Sequence, residues 1–191
     1  MRRLRRSDRG VVLVEFAFIA TFLALLAFGV TEIGSAWQSR MTVQAASRSG
    51  ARVASSLTTN AAADYNTLLA VKSALADIGL TNVEHVVIYK SVVAGGAVPT
   101  ACTTPSVVSV SGSCNAYTGA QIIAMTAGQF GCGVGKLDNA WCPTTRQNLL
   151  AFGTDYLGVW IRVKQPNLAK VLGNGVQRIS DSSVMRLEPL T

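Results

Sequence analysis

The hydrophobic residues of the chain are concentrated in one long segment near its N-terminus. Residues 11–30 contain a single ionisable side chain, that of Glu15. At about 1.5 Å per residue, a helix over these positions is about 30 Å long, which matches the hydrocarbon thickness of a bilayer. The apolar region of a secretory signal is shorter, at about 7 to 15 residues. The pattern therefore predicts a transmembrane helix over residues 11–33.

Charge is distributed unevenly around this segment. Five arginines and one aspartate lie within residues 1–10 and contribute +4 of the formal net charge of +7. Arginines beside a first membrane span stay on the cytoplasmic side. We therefore expect residues 1–10 to be a basic cytoplasmic leader and residues 34–191 to be an extracytoplasmic domain. Only 14% of the residues are charged, which argues against an ordinary cytosolic globular protein.

Beyond the span, the pattern predicts an α+β domain. The helix continues without proline through residues 35–57, and Asn60 is placed to begin a second amphipathic helix from about Ala61 to Ile78. Further elements are predicted as strands at Val83–Lys90, Val107–Val110, Asp155–Lys164 and Val176–Leu187, and as a helical turn at Asn167–Leu172. This order favours a long N-terminal transmembrane helix that continues into a domain with a second helix packed on a small antiparallel sheet.

The four cysteines lie in one Gly-, Ser- and Thr-rich insertion at about residues 94–146. They are Cys102, Cys114, Cys132 and Cys142, with no Cys-x-x-Cys pair, so we expect no metal site. Outside the cytoplasm, an even number of cysteines predicts two disulfides, and four free buried thiols are the alternative. Three connectivities exist, of which we favour Cys102–Cys114 and Cys132–Cys142 because they close the shortest loops.

A stripe of small residues follows the helix beyond the span. Ala46, Gly50 and Ala54 recur every four residues, so they share one helix face. Small side chains allow a second helix to approach closely. The partner helix belongs either to the same domain or to another subunit.

A polar, mostly cationic stripe shares the same helix. Arg40, Gln44, Arg48 and Arg52 also recur every four residues. Such a stripe is either a solvated face or, near Arg40, a contact with anionic lipid headgroups. Trp37 fits equally well at the membrane interface or in the core of the outer domain.

Glu15 is the most informative residue of the span. A carboxylate inside an apolar helix costs about 2 to 3 kcal/mol unless it is paired, so Glu15 indicates a partner. The alternative is that it lies shallow enough to reach the cytoplasmic headgroups. The basic leader ends in Gly10, and four apolar residues, Val11 to Val14, separate this glycine from Glu15.

This arrangement resembles the class III signal of type IV pilin-like proteins. The resemblance implies that a prepilin peptidase cuts between Gly10 and Val11 and that the mature chain keeps its hydrophobic helix. It also implies that Glu15, which is followed by Phe16, pairs with the freed N-terminal amine of a neighbouring subunit. Opposite charges attract strongly in a low-dielectric layer, where each alone is costly.

Three further stretches narrow the family. Residues 28–37, the Gly-Ala-Arg at 50–52 and residues 184–189 resemble TadE-like proteins, the pseudopilins of the Tad (tight adherence, Flp) pilus system. The resemblance covers residues 6–57 most densely and leaves the middle third unmatched. It implies a non-catalytic protein whose partners are the membrane, other Tad pilus subunits and the assembly platform, and which acts in adhesion, surface colonisation or secretion.

The chain departs from the major Flp pilins, which are very short and carry Glu-Tyr where this chain has Glu15-Phe16. Its large outer domain therefore favours a minor pilin or pseudopilin. A TadF-like paralogue is not distinguished from a TadE-like one. A different interpretation is an unprocessed signal-anchor protein whose outer domain binds a ligand or the cell envelope.

Motifs of other functional classes are poorly matched. His85 is the only histidine, so a membrane-tethered hydrolase would depend on this one residue. Residues 131–136 superficially resemble a phosphate loop, but Phe130 and Leu137 occupy two of its defining positions. No basic run with interleaved aromatic residues indicates nucleic-acid binding. We expect no cofactor, no catalytic residues and no nucleic-acid partner.

Overall fold

The computed structural model describes residues 5–149, 151, 153–166 and 175–189. Its first element is a single helix, α1 (Arg5–Leu57), of 53 residues. No proline interrupts the backbone hydrogen bonds of α1, which is about 80 Å long at 1.5 Å per residue. The predicted continuation of the apolar helix through residues 35–57 is confirmed.

Four antiparallel strands form one sheet with the order β2-β1-β3-β4. They are β1 (Val83–Ser91), β2 (Cys114–Thr118), β3 (Tyr156–Pro166) and β4 (Val176–Arg186). The strands predicted at 83–90, 155–164 and 176–187 and the α+β class are therefore confirmed. The helical turn predicted at Asn167–Leu172 lies outside the described residues.

The prediction of a strand at Val107–Val110 is wrong. Its last residue forms only an isolated bridge with Cys114, and the segment lies over the outer face of the sheet, where Val107 and Val110 pack on a buried cluster. β1 pairs with β3 on one side and with β2 on the other. The sequence of β2, Cys-Asn-Ala-Tyr-Thr, contains few of the β-branched residues on which strand prediction relies. The cysteine-bearing region thus contributes an edge strand to the sheet.

The second helix is α2 (Ala63–Ala74), and a 3₁₀ turn at Ala76–Ile78 follows it. The helix begins two residues later than predicted, and its N-cap is Ala62 without a side-chain cap, so the prediction that Asn60 caps it is wrong. The Asn60 side-chain oxygen accepts a hydrogen bond from the backbone N–H of Ala62 at 2.8 Å in the turn before the helix. The structure differs from expectation in a second respect, because α2 packs chiefly against α1 and not on the sheet. A short third helix, α3 (Gly119–Ala124), follows β2 and is capped by Thr118.

Helix α1 is the middle layer of the domain. A Cβ atom at Gly50 would lie 2.6 Å from a methyl carbon of Val71 in α2 and 3.3 Å from one of Val159 in β3. Ala46 and Ala54, one turn before and one turn after, are fully buried. The small residues therefore let α1 lie in close contact with α2 and the sheet simultaneously.

Polar contacts tie α1 to both ends of the sheet. Three serines of α1 bond to β3 and β4: Ser35 to the Gln165 side chain at 3.4 Å, Ser47 to the Asp181 carboxylate at 2.8 Å and Ser55 to the Arg186 carbonyl at 2.5 Å. Helix α1 therefore runs parallel to β4, with the start of β4 and the end of β3 nearest the apolar segment.

The close contact at Gly50 generates a testable prediction. Replacing Gly50 by Leu removes a poor helix former, but it forces a large side chain against Val71 and should destabilise the domain by about 2 kcal/mol. The measurement is thermal or chemical unfolding of the full chain in detergent. Gly34→Leu is the matched control, since a Cβ at Gly34 meets nothing within 4 Å. Equal stability of the two variants would contradict the packing assignment.

Candidate functional site

Among the described residues, the N-terminal half of α1 is almost entirely exposed. Every residue from Gly10 to Ile19 is exposed, and the most apolar 18-residue window of the helix has none of its residues buried. Within the described residues, this is the one helix long and apolar enough to cross a membrane. So much exposed apolar surface is not stable in water and indicates a single-pass membrane protein.

Glu15 is exposed on this apolar segment. Helix α1 is continuous from Gly10 through Val11 to Glu15, so the predicted cleavage bond lies within it. Val11 and Glu15 are four residues apart and occupy the same helix face, with the exposed Phe16 beside them. The geometry thus brings the predicted cleavage and assembly residues to one end of one exposed surface.

The stripe of small residues is engaged within the chain. Ala46, Gly50 and Ala54 are buried against α2 and the sheet, so in this structure their partner is the domain itself. Of the polar stripe, Arg40, Arg48 and Arg52 are exposed, as a solvated face requires. Trp37 is 66% exposed, which excludes it from the core of the outer domain.

The cysteine-bearing region is held by two disulfides. Cys102 pairs with Cys114, and Cys132 pairs with Cys142, with no free cysteine. The first disulfide lies in the buried cluster on the outer face of the sheet, together with Tyr89 and Trp160. The region is therefore a packed layer over the sheet and not a free loop.

A buried ion pair fastens the same region to α2. Asp64 of α2 and Arg146 both have fully buried side chains, and their charged atoms are 2.6 Å apart. The other Asp64 oxygen accepts hydrogen bonds from the Asn115 amide at 2.8 Å and from the Tyr117 hydroxyl at 2.7 Å. Burial and the adjacent carboxylate raise the pKa of Tyr117 well above its usual value, so this hydroxyl stays protonated and donates.

The ion pair with Asp64 satisfies only part of the charged guanidinium group of Arg146. Its guanidinium lies 4.2 Å above the ring of Trp141, whose face attracts cations. Its Nε and Nη1 atoms are buried without a hydrogen-bond partner. The sequence offered no signal for this network, because its members are 51 to 82 residues apart from Asp64.

Neither a histidine-based hydrolase site at His85 nor a phosphate loop at residues 131–136 is formed. The Nδ1 atom of His85 is buried without a hydrogen-bond partner, so no carboxylate orients the ring as a catalytic base requires. Burial and the nearby Arg162 lower the pKa of His85, which keeps the ring neutral. In the glycine-rich segment, the backbone N–H groups of Gly131 and Cys132 donate to the Asp138 carboxylate, which occupies the position of a bound anion.

The described part of the chain contains no group of three or more His, Cys, Asp or Glu side chains that could hold a metal ion.

Residues 10–52 match the family model described as TadE-like protein. The TadE-like resemblance is thereby confirmed for this segment. The matched TadE-like residues all lie within α1, and they indicate a protein associated with the Tad pilus. The TadE-like family is generally non-catalytic.

Searches of curated proteins and of solved structures gave no match to the chain. The sheet, the disulfides and the Asp64–Arg146 pair lie beyond the TadE-like segment. The family match therefore supports the interpretation of α1, the helix that carries the apolar segment and packs against the outer domain. The rest of the outer domain is interpreted from its own geometry.

The buried ion pair generates a second prediction. Asp64→Asn leaves the Arg146 charge buried without its counter-ion and should lower the free energy of unfolding by about 3 to 5 kcal/mol. Lys90→Gln is the matched control: it breaks an ion pair with Asp155, but Lys90 is partly exposed, so its loss should cost less than about 1 kcal/mol. Urea unfolding of the full chain in detergent measures both. Similar small losses in the two variants would show that Asp64 does not hold the region.

Proposed function

We propose that this protein is a non-catalytic minor pilin or pseudopilin of a Tad-type pilus, which it helps to assemble or display for adhesion, surface colonisation or secretion. The observation that carries the proposal is the exposed apolar half of α1 with one carboxylate in it. In a bilayer, lipid covers this surface, and in a fibre neighbouring helices cover it. The TadE-like match over residues 10–52 supports the same interpretation.

The chain crosses the membrane once, with residues 1–10 in the cytoplasm and the domain from residue 34 outside. The arginines of the leader favour this orientation. The two disulfides support it independently, because disulfides persist in oxidising compartments and are rare in the cytosol. The two arguments concern opposite ends of the helix and agree.

A prepilin peptidase removes the leader between Gly10 and Val11. Cleavage leaves a positively charged amine on Val11, on the helix face that carries Glu15. The apolar segment of each mature chain then holds one cation and one anion. Packing two such helices with an offset brings the amine of one near Glu15 of the other, which neutralises both charges without water.

The outer domain is the part that distinguishes this subunit from a bulk pilin. It is built on the far half of α1, so a subunit held by its apolar segment presents the cysteine-bearing layer away from the membrane. A large domain on every subunit would crowd a thin fibre, which favours a minor component over the bulk pilin. The partners are other Tad pilus subunits and the assembly platform.

The cleavage step is tested by co-expressing the full chain with a prepilin peptidase and measuring its intact mass and N-terminal sequence. We expect a chain that begins at Val11, and we expect Gly10→Leu to block its formation because the added side chain clashes in the protease site. Gly34→Leu, the same change further along α1, should be cut normally. A persistent Met1 in a host that processes such substrates overturns the proposal and favours a signal-anchor protein.

The pairing role of Glu15 is tested separately. Glu15→Val should leave membrane insertion intact and reduce co-purification with other pilus subunits by at least about tenfold, since one charge of each pair is lost. Thr21→Val is the matched control, because it removes a polar group from the same exposed segment without changing charge. If Glu15→Val and Thr21→Val co-purify equally well, Glu15 has no part in assembly.

A further inference from the structure

A basic cluster lies on the outer face of the sheet, around one carboxylate. The Glu84 oxygens lie 2.9 Å from Arg162 Nε, 3.5 Å from Lys164 Nζ and 3.1 Å from Arg178 Nε. Burial of Glu84 would raise its pKa, but the hydrogen bond from Arg178 and the three cations together lower it, so the carboxylate stays ionised. Three cations share one anion, and the cluster keeps two positive charges in excess.

Two of these three cations face solvent, while Arg162 and the shared carboxylate are largely covered. The side chains of Lys164 and Arg178 are 50% and 61% exposed, whereas that of Glu84 is 9% exposed. Lys164 and Arg178 are directly opposite each other in the β3–β4 register. The buried Glu84 therefore positions Lys164 and Arg178, and their solvent-facing N–H groups stay available to another anion.

The cluster lies at the end of the domain nearest the membrane span. Gln165, which follows Lys164, bonds to Ser35 of α1. Ser35 is five residues beyond Val30, which corresponds to about 8 Å along the helix. The headgroup layer on each side of a bilayer is about 5 to 8 Å thick. Lys164 and Arg178 are thus level with the lipid headgroups when residues 11–30 span the hydrocarbon.

Helix α1 adds two groups whose Cα atoms lie about 3 and 8 Å beyond Ser35 along the helix and whose side chains point back toward the span. Trp37 and Arg40 line a groove of about 360 Å³ with β4 residues 177–180. Tryptophan is enriched where a protein meets the headgroups, and arginine binds phosphate. Two acidic residues, Glu32 and Asp77, also lie at this end of the domain, and their two negative charges are fewer than the two excess charges of the cluster together with that of Arg40. The surface as a whole therefore keeps a net positive charge.

We propose that this surface, formed by Lys164, Arg178, Arg40 and Trp37, binds the phosphate groups of anionic phospholipids in the leaflet that it faces. The positive charge of this surface favours an anion, and its position just beyond the apolar segment of α1 favours a lipid headgroup over other anions. The proposal rests on the membrane-spanning part of the proposed function and not on cleavage or pilus assembly. Its consequence is a domain attached to the bilayer at two places, by α1 and by the end of the sheet.

The test uses the full, uncleaved chain in nanodiscs of equimolar phosphatidylcholine and phosphatidylglycerol. Native mass spectrometry of the released protein measures which lipid stays bound. We expect preferential retention of phosphatidylglycerol, reduced at least about fivefold by Lys164→Gln with Arg178→Gln, since each basic residue near the surface contributes about a fivefold factor. Arg40→Gln alone is the second variant, and Arg40 takes part in no ion pair of the described residues.

The matched control is Arg48→Gln with Arg52→Gln. It removes the same charge from exposed positions of α1 that are about 20 Å or more further from the span than Ser35. Its lipid retention should equal that of the unmodified chain. Equal retention in all variants overturns the proposal, whatever the outcome of the cleavage experiment, while failure of the cleavage experiment leaves lipid retention unaffected.

A second arm distinguishes lipid from free anion and from protein. Hydrogen exchange of residues 156–166 and 176–186 should slow in phosphatidylglycerol nanodiscs relative to phosphatidylcholine nanodiscs, and inorganic phosphate added to the detergent-solubilised chain should not reproduce the effect. If inorganic phosphate alone gives the same protection, the site binds a small anion and the lipid assignment is wrong. If the double variant keeps its lipid but loses an acidic pilus subunit, the surface is a protein interface and the proposal also fails.

Discussion

The contact on which the rest of the structure depends is the close approach of α1 to its two neighbours at Gly50. A hydrogen atom in place of a side chain lets Val71 of α2 and Val159 of β3 contact the same turn of one helix. Because that helix also carries the apolar segment, the packing of the outer domain and its attachment to the membrane are properties of one element. The serine contacts at both ends of the sheet make this attachment rigid along its length.

The outer domain depends on a second, polar constraint. Asp64 holds Arg146, Asn115 and Tyr117 within the interior, so it joins α2 to the edge strand and to the end of the cysteine-bearing region. A buried ion pair is costly to desolvate, and its value lies in the single arrangement that satisfies it. The two disulfides then shorten the segments that have to find this arrangement. Apolar packing joins α1 to the sheet and part of the cysteine-bearing layer to the outer face of the sheet, and the Asp64 network fixes the end of that layer against α2.

The elements predicted from sequence are those whose signal is local. The apolar run of α1 and the β-branched and aromatic residues of β1 and β3 each specify their structure without reference to distant residues. Strand β2 was missed because Cys-Asn-Ala-Tyr-Thr becomes a strand only through pairing with β1. The Glu84 cluster and the Asp64 network were inaccessible for the same reason, since each joins charges from separate elements. Of the candidate site, the segment from Gly10 to Phe16 was visible because its information lies in consecutive residues.

The continuity of α1 also has a mechanical meaning. A break or flexible turn at the membrane surface would let the domain swivel while its anchor stayed still. Here no such joint lies between Gly10 and Leu57, and the sheet is fastened along the same rod. A pull that raises the anchor by one helical turn, about 5.4 Å, lifts the whole domain by that amount and turns it with the helix. The subunit therefore moves as one rigid body, with its apolar segment in lipid and its disulfide-bonded face outside.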